Sequence, residues 1–179
     1  MTVAKLMDLK PIMQKEVADL HHNNFLGICI ALLEPNATYV YYNEDILIGY
    51  AEIGHPHYAV MAKHFLKKEY SEFMSEDEIN ICHGLYLKYI GINPLFKRKG
   101  YGTCILNESI KRARSDQGNF NISPSVTTIV DGAIPTALDA IYFFRKNEFN
   151  IISEYRVNDS IDTYFQKKFS FDNESQYPL

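Results

Sequence analysis

The sequence predicts an α/β (α+β) fold, a mixed central sheet of about seven strands flanked by helices on both faces. Three observations carry that expectation. The chain has 179 residues, enough for one domain with a real core and too few for two ordinary ones. Hydrophobic residues make up 46% and charged residues 22%, which is a globular rather than a disordered composition. From Leu85 onward, strand-like runs alternate with helical ones, the pattern of a sheet covered by helices. The single domain is expected over 1–170, followed by a polar tail over 171–179.

Taken in order, Val3 to Met7 reads as a first strand. Pro11 then opens a helix, with Ile12, Val17 and Leu20 apolar among charged neighbours. Phe25 to Leu33 reads as a short helix or a buried segment, broken by Pro35-Asn36. Tyr39 to Tyr42 and Ile46 to Ile53 flank the turn-forming Asn43-Glu44-Asp45 and so predict a hairpin. An extra amphipathic helix is expected over 58–74, where Tyr58, Met61, Phe65, Leu66 and Phe73 follow helical spacing. Leu85 to Ile92 is a long apolar strand, Thr103 to Ala113 a helix, Ser115 to Ser123 a polar loop and Ser125 to Val130 a β-branched strand. Pro135 to Lys146 predicts a last helix, and Ile151 to Val157 with Asp162 to Phe169 a closing strand pair.

The net charge of −4 argues against a nucleic-acid or anionic-membrane binder, and three basic residues in one loop make too small a footprint for nucleic acid. No apolar run approaches the roughly 18–20 residues that span a bilayer, and the first residues lack the apolar core of a signal peptide. Cys29, Cys82 and Cys104 lie far apart and form no C-x-x-C pair, so a reducing, cytoplasmic setting is expected. His55-Pro56-His57 has no metal-ligand partner at a recognisable spacing, and no metal is expected. Cys104 reads as a small packed helix residue rather than a nucleophile. The chain has no tryptophan but 13 tyrosines, whose hydroxyls could bond structurally or take part in chemistry.

The stretch Ile90-Gly91-Ile92-Asn93-Pro94-Leu95-Phe96-Lys97-Arg98-Lys99-Gly100-Tyr101-Gly102-Thr103 carries the most chemistry. A strand ends, a short basic loop with two glycines follows, and a helix begins at once. Gly100 and Gly102 allow backbone torsions closed to other residues, so successive N–H groups can converge. The helix adds unpaired N–H groups and its positive dipole end. Lys97, Arg98 and Lys99 add charge, so the expected ligand is a phosphate or pyrophosphate. No Gly-Lys-Ser/Thr follows, which removes the P-loop, and Gly100-Tyr101-Gly102 lacks the third glycine of the dinucleotide fingerprint.

The stretch resembles motif A of the GCN5-related N-acetyltransferase (GNAT) superfamily, V-x-P-x-x-[QR]-x-x-G-x-[GA]. Ile92, Pro94, Lys97, Gly100 and Gly102 fall on its five defined positions, with Ile92 and Lys97 as substitutions that keep the chemical type. The resemblance extends over about Leu85 to Phe149 and implies a GNAT-like fold with acetyl-CoA as co-substrate. It implies that Arg98, Lys99, Gly100, Tyr101, Gly102 and Thr103 hold the pyrophosphate with Lys97, and that Tyr89, Ile90, Gly91 and Ile92 line the pantetheine arm. A backbone N–H near Ile90 or Ile92 would polarise the thioester carbonyl, an interaction worth roughly 3–4 kcal/mol.

The implied reaction is direct acetyl transfer to a primary amine of a small molecule or peptide, which needs a base because an alkylammonium titrates near 10. Glu52 is the candidate, an acid inside the strand Ile48-Gly49-Tyr50-Ala51-Glu52-Ile53, where alternation puts it with Tyr50 and Ile48 on one face. His83 is a second candidate. The superfamily's usual acid is a tyrosine in Y-x-K-x-G-F, and here Phe144-Arg145-Lys146-Asn147-Glu148-Phe149 puts Phe144 at the tyrosine and Glu148 at the glycine. The thiolate then leaves unassisted or through water, or Tyr142 or Tyr89 serves, with Phe144 left as a cofactor contact. A non-catalytic acyl-CoA-binding or regulatory module is the alternative. Glu69, Glu72, Glu76, Asp77 and Glu78 favour a cationic acceptor, and a homodimer is expected because dimers are common in that superfamily.

Overall fold

The computed structural model describes residues 1–25, 33–54, 84–116, 125–130, 132, 136–157 and 159–169. Within them the chain forms β1 (Thr2–Lys5), α1 (Pro11–Asn24), β2 (Thr38–Asn43), β3 (Ile46–Gly54), β4 (Leu85–Ile92), α2 (Tyr101–Asp116), β5 (Ser125–Val130), α3 (Ala137–Lys146), β6 (Asn150–Val157) and β7 (Ser160–Lys168). The seven strands make one sheet in the order β1-β2-β3-β4-β5-β7-β6. The helix expected over 58–74, the segment 26–32, His55, His57, His83 and the tail 171–179 lie outside the described residues. No helix among the described residues is long and apolar enough to cross a membrane.

These elements fall into two compact units. The first holds β1, α1, β2, β3, β4 from Leu87 onward and α2; the second holds Leu85 and Tyr86 of β4, β5, α3, β6 and β7.

In the first unit, Pro11 stands at the start of α1, where its missing N–H costs no hydrogen bond. Val17, Leu20 and His21 form the buried stripe of that helix at i, i+3 and i+4. β1 and β2 are antiparallel with Thr2 opposite Tyr42, and β2 and β3 are antiparallel with Thr38 opposite Glu52. The turn between β2 and β3 uses Glu44 at φ 55, the left-handed region. Alternation divides the sheet residues between two helices. Val40, Tyr42, Leu47 and Tyr50 pack with Leu6, Val17 and Leu20 on the α1 face. On the opposite face the Tyr41 hydroxyl and Ser109 of α2 share a 2.7 Å hydrogen bond, and the Tyr39 hydroxyl donates to Asp116 at 2.7 Å. Asp116 also pairs with Lys5 at 2.6 Å, tying the end of α2 to β1. The Tyr42 hydroxyl is buried with no hydrogen-bond partner among the described residues.

Strict alternation expects Ile48 to share a face with Tyr50. A register shift beside Tyr41 and Tyr42 changes this, because Tyr41 pairs with Gly49 while Tyr42 pairs with Leu47. The extra residue is Ile48, and it is Leu47 that joins Tyr50 in the α1-side cluster.

In the second unit, the start of β4 runs parallel to β5, with Leu85 opposite Val126 and Tyr86 opposite Thr127. β7 lies between β5 and β6 and is antiparallel to both. α3 buries Ala137 and Phe144, and the Phe144 ring meets Phe149 at 5.3 Å and Phe165 at 5.6 Å.

Candidate active site

The basic loop grows directly out of β4 and is fastened at its first residue. The Asn93 N–H donates to the Ile48 carbonyl at 2.8 Å, its side-chain amide donates to Leu47 at 2.8 Å, and its Oδ1 accepts from the Leu95 N–H at 3.1 Å. One 3-10 turn over Pro94–Phe96 follows. Two left-handed residues then turn the chain, Arg98 at φ 60 and Gly100 at φ 86, and α2 starts at Tyr101. Its first turn bonds back to the loop, Cys104 N–H to the Gly100 carbonyl at 3.2 Å. A helix start leaves the N–H groups of its first turn without intrahelical acceptors, here those of Tyr101, Gly102 and Thr103. Lys97, Arg98 and Lys99 are exposed around that end. The rings of Phe96 and Tyr101 meet edge to face at 5.3 Å, with the Lys99 ammonium 5.8 Å from the Phe96 centroid. Every element of an anion cradle is present: left-handed turns, helix-end amides and exposed cations.

Gly100 faces open space, so a methyl group there meets no atom and the cost is purely torsional. Gly100→Ala is expected to strain the loop by about 1–2 kcal/mol and to weaken coenzyme A binding in a calorimetric titration. Unchanged affinity would show that the turn does not form the cradle.

Behind the loop, β3 and β4 run antiparallel, since Asn93 bonds Ile48 while Gly91, two residues earlier, packs on Tyr50, two residues later. Running that register back places Tyr89 opposite Glu52. Ile92 and Ile105 crowd the vacant side of Gly49. The absent side chains of Gly49 and Gly91 let the two backbones and the Tyr50 ring come this close.

Glu52 is 5% exposed, and both carboxylate oxygens are engaged. The Lys88 ammonium lies 3.2 Å from Oε1, and the Glu34 backbone N–H donates to Oε2 at 3.2 Å. Burial pushes this carboxyl above the usual glutamate value, while the Lys88 charge and the Glu34 amide pull against that shift. On the same face, His21 Nδ1 and the Tyr50 hydroxyl share a 2.5 Å hydrogen bond. The Tyr50 hydroxyl is raised by burial first and by the nearby Glu52 charge second. The Tyr89 ring lies 4.7 Å from His21 and 5.2 Å from Phe25, and the Lys88 ammonium is 5.1 Å from the Tyr89 centroid. The result is a buried carboxylate beside an aromatic wall.

The sequence singles out Glu52, the strand residues Tyr89 to Ile92 and the loop 97–103, and the first unit holds all of them. It does not single out His21, Tyr50 or Lys88. His21 had a signal, because it continues the Val17 and Leu20 stripe. Lys88 also had one, as a lone charge within an apolar strand. Their partners lie 29 and 36 positions away, beyond any local pattern.

The remaining expected residues lie on α3 of the second unit. Tyr142 is 69% exposed, and Phe144 is 4% exposed within its aromatic cluster. Glu148 adopts φ 67 as the helix ends, which is the conformation that glycine supplies at the matching position of the family pattern. Its carboxylate bonds Lys167 at 2.9 Å, a contact that a glycine could not make.

No family model matches the sequence, and no curated protein matches it. Solved structures do. Ard1 from Thermoplasma volcanium is similar with a TM-score of 0.59 and 15% identity, over 93% of this chain and 96% of that one. An aminoglycoside 6'-N-acetyltransferase complexed with coenzyme A is similar with a TM-score of 0.60 and 12% identity, over 94% and 97%. The ribosomal-protein-S18-alanine N-acetyltransferase from Escherichia coli gives 0.58 and 12%, over 99% of both chains. The shared architecture covers nearly the whole chain, and this protein has the fold of the GCN5-related N-acetyltransferases.

Proposed function

We propose that this protein transfers an acetyl group from acetyl-CoA to a primary amine by direct attack. One observation carries the reading: a buried carboxylate, Glu52, sits beside the strand that leads into a left-handed, glycine-bearing loop at the head of a 16-residue helix. The amides of 98–103 and the charges of Lys97, Arg98 and Lys99 hold the pyrophosphate. Tyr89 to Ile92 line the acyl arm, and a backbone N–H of that strand stabilises the oxyanion. Glu52 accepts the proton of the incoming ammonium. The CoA thiolate, with the acidity of a cysteine thiol near 8.5, takes its proton from solvent, with Tyr142 as the side-chain alternative. Phe144 contributes packing in place of the hydroxyl that the family pattern has there.

Two of the structural neighbours bear names that specify N-acetyl transfer, to an aminoglycoside and to a ribosomal-protein alanine, which supports an amine acceptor. The acidic residues Glu69, Glu72, Glu76, Asp77 and Glu78 support a cationic one. We further assign the protein to the cytoplasm, acting without a metal and as a homodimer. The test is thiol release from acetyl-CoA across a panel of polyamines, aminoglycosides and peptide amines. Release above background with at least one amine is expected; none with any would exclude the enzyme. Phe144 favours a second reading, a module that binds acyl-CoA without turnover. It predicts calorimetric binding of acetyl-CoA, no thiol release and no effect of Glu52→Gln.

A further inference from the structure

Lys88 sits where the proposed reaction needs an amine. Its ammonium is a primary alkylammonium, the same group as the proposed acceptor's. It is 3.2 Å from the buried Glu52 carboxylate and 5.1 Å from the centroid of the Tyr89 ring. A carboxylate with an aromatic face is a recognition site for an alkylammonium. Lys88 also immediately precedes the strand residues assigned to the acyl arm, and its side chain is 35% exposed, so solvent and a ligand can reach it. Among the described residues Glu52 meets this one ammonium and one backbone amide.

We propose that Lys88 is itself an acetyl acceptor, modified on Nζ by the acetyl-CoA that the protein binds. The inference rests on the proposed acetyl-CoA function. Glu52 takes one proton from the Lys88 ammonium, and the neutral Nζ attacks the thioester carbonyl carbon. The C–N bond forms, the C–S bond breaks with its electron pair going to sulfur, and the attacking nitrogen gives up a second proton. Of the two protons, one goes to the thiolate through solvent and the other to bulk water. The products are Nζ-acetyl-lysine and coenzyme A, with one proton released overall. The amide formed is uncharged, so Glu52 loses its internal ion-pair partner and becomes available to an external ammonium. Self-acetylation therefore opens the acceptor position.

The experiment is a time course of the whole chain with acetyl-CoA and no added amine, read by peptide mass spectrometry, with calorimetry of coenzyme A binding in parallel. Lys88 is expected to gain acetyl at least about a hundredfold faster than the exposed Lys15, the lower end of what a positioned base supplies. Glu52→Gln should remove that preference while coenzyme A still binds. Coenzyme A binding with Lys88 unmodified, or modified no faster than Lys15, would overturn self-acetylation and leave the acetyltransferase reading standing. Absence of coenzyme A binding would overturn both. A Lys88→Arg variant keeps the charge and cannot form the amide under these conditions; the acetyl group appearing at the same rate on a neighbouring lysine would also overturn the assignment.

Discussion

Glu52→Gln is expected to lower amine acetylation by about 10²- to 10⁴-fold without unfolding the protein. The substitution keeps size and keeps an oxygen for the Glu34 N–H, but it removes the only buried carboxylate described beside β4. The electrostatics separate a catalytic role from a structural one. Burial raises the Glu52 pKa above its ordinary 4.5, so the fold holds a proton that the unfolded chain gives up. The resulting stability is fully present below 4.5 and is lost as pH rises through the raised value. At neutral pH the charged carboxylate is therefore a burden on the fold, and glutamine relieves it. Lys88 loses a partner but is half-exposed and hydrated, so its share is small. Thermal melts across acid to neutral pH should show the wild type losing stability relative to the variant as Glu52 ionises. Turnover should rise over that same interval, since a base must be unprotonated to act. A folded Glu52→Gln protein with undiminished turnover would remove Glu52 from the reaction.

The second large effect is on stability. Gly91→Ala is expected to cost about 3 kcal/mol, the upper part of the range for overpacking, read as a lowered urea midpoint with unchanged slope. A β-carbon at 91 would run into the Tyr50 ring. That ring cannot step aside, because it is fully buried and its hydroxyl is bonded to His21 across to α1. The same displacement would disturb the Glu52 face, so activity should fall beyond the loss of folded protein. Adding Tyr50→Ala to Gly91→Ala removes the obstacle. The two changes together should cost less than the sum of their separate effects. Strict additivity would mean that Gly91 is not held by this contact.

Much of this architecture was legible in order and type. β4 and β5 occupy the expected residues because each is an apolar or β-branched run with clear punctuation, and the loop between β4 and α2 is written in its proline and two glycines. α2 begins two residues earlier than the apolar stripe suggests, at Tyr101, because left-handed Gly100 supplies the turn and Gly102 is carried inside the helix. The bulge at Ile48 left no sequence mark, since Leu47 and Ile48 are equally apolar and only pairing with Tyr41 and Tyr42 distinguishes them. In the site, Glu52 announced itself as a charge inside a strand. Its ion pair with Lys88 and the His21–Tyr50 bond did not, because each joins residues that only the folded sheet and helix bring together.

The hairpin tyrosines also give the molecule an optical record of its own integrity. With no tryptophan in the chain, and with phenylalanine absorbing only weakly and at shorter wavelength, tyrosine dominates the near-ultraviolet absorption. Burial raises the hydroxyls of Tyr41 and Tyr42 to about 12, and raises those of Tyr39 and Tyr50 further. Each is protonated in the fold at pH values where the open chain would already be ionised. The fold is therefore held against alkali up to the ordinary tyrosine value of 10 and weakens as pH climbs beyond it. Tyrosinate absorbance should accordingly appear in two waves, one from exposed rings and a later one that marks the opening of β2 and β3.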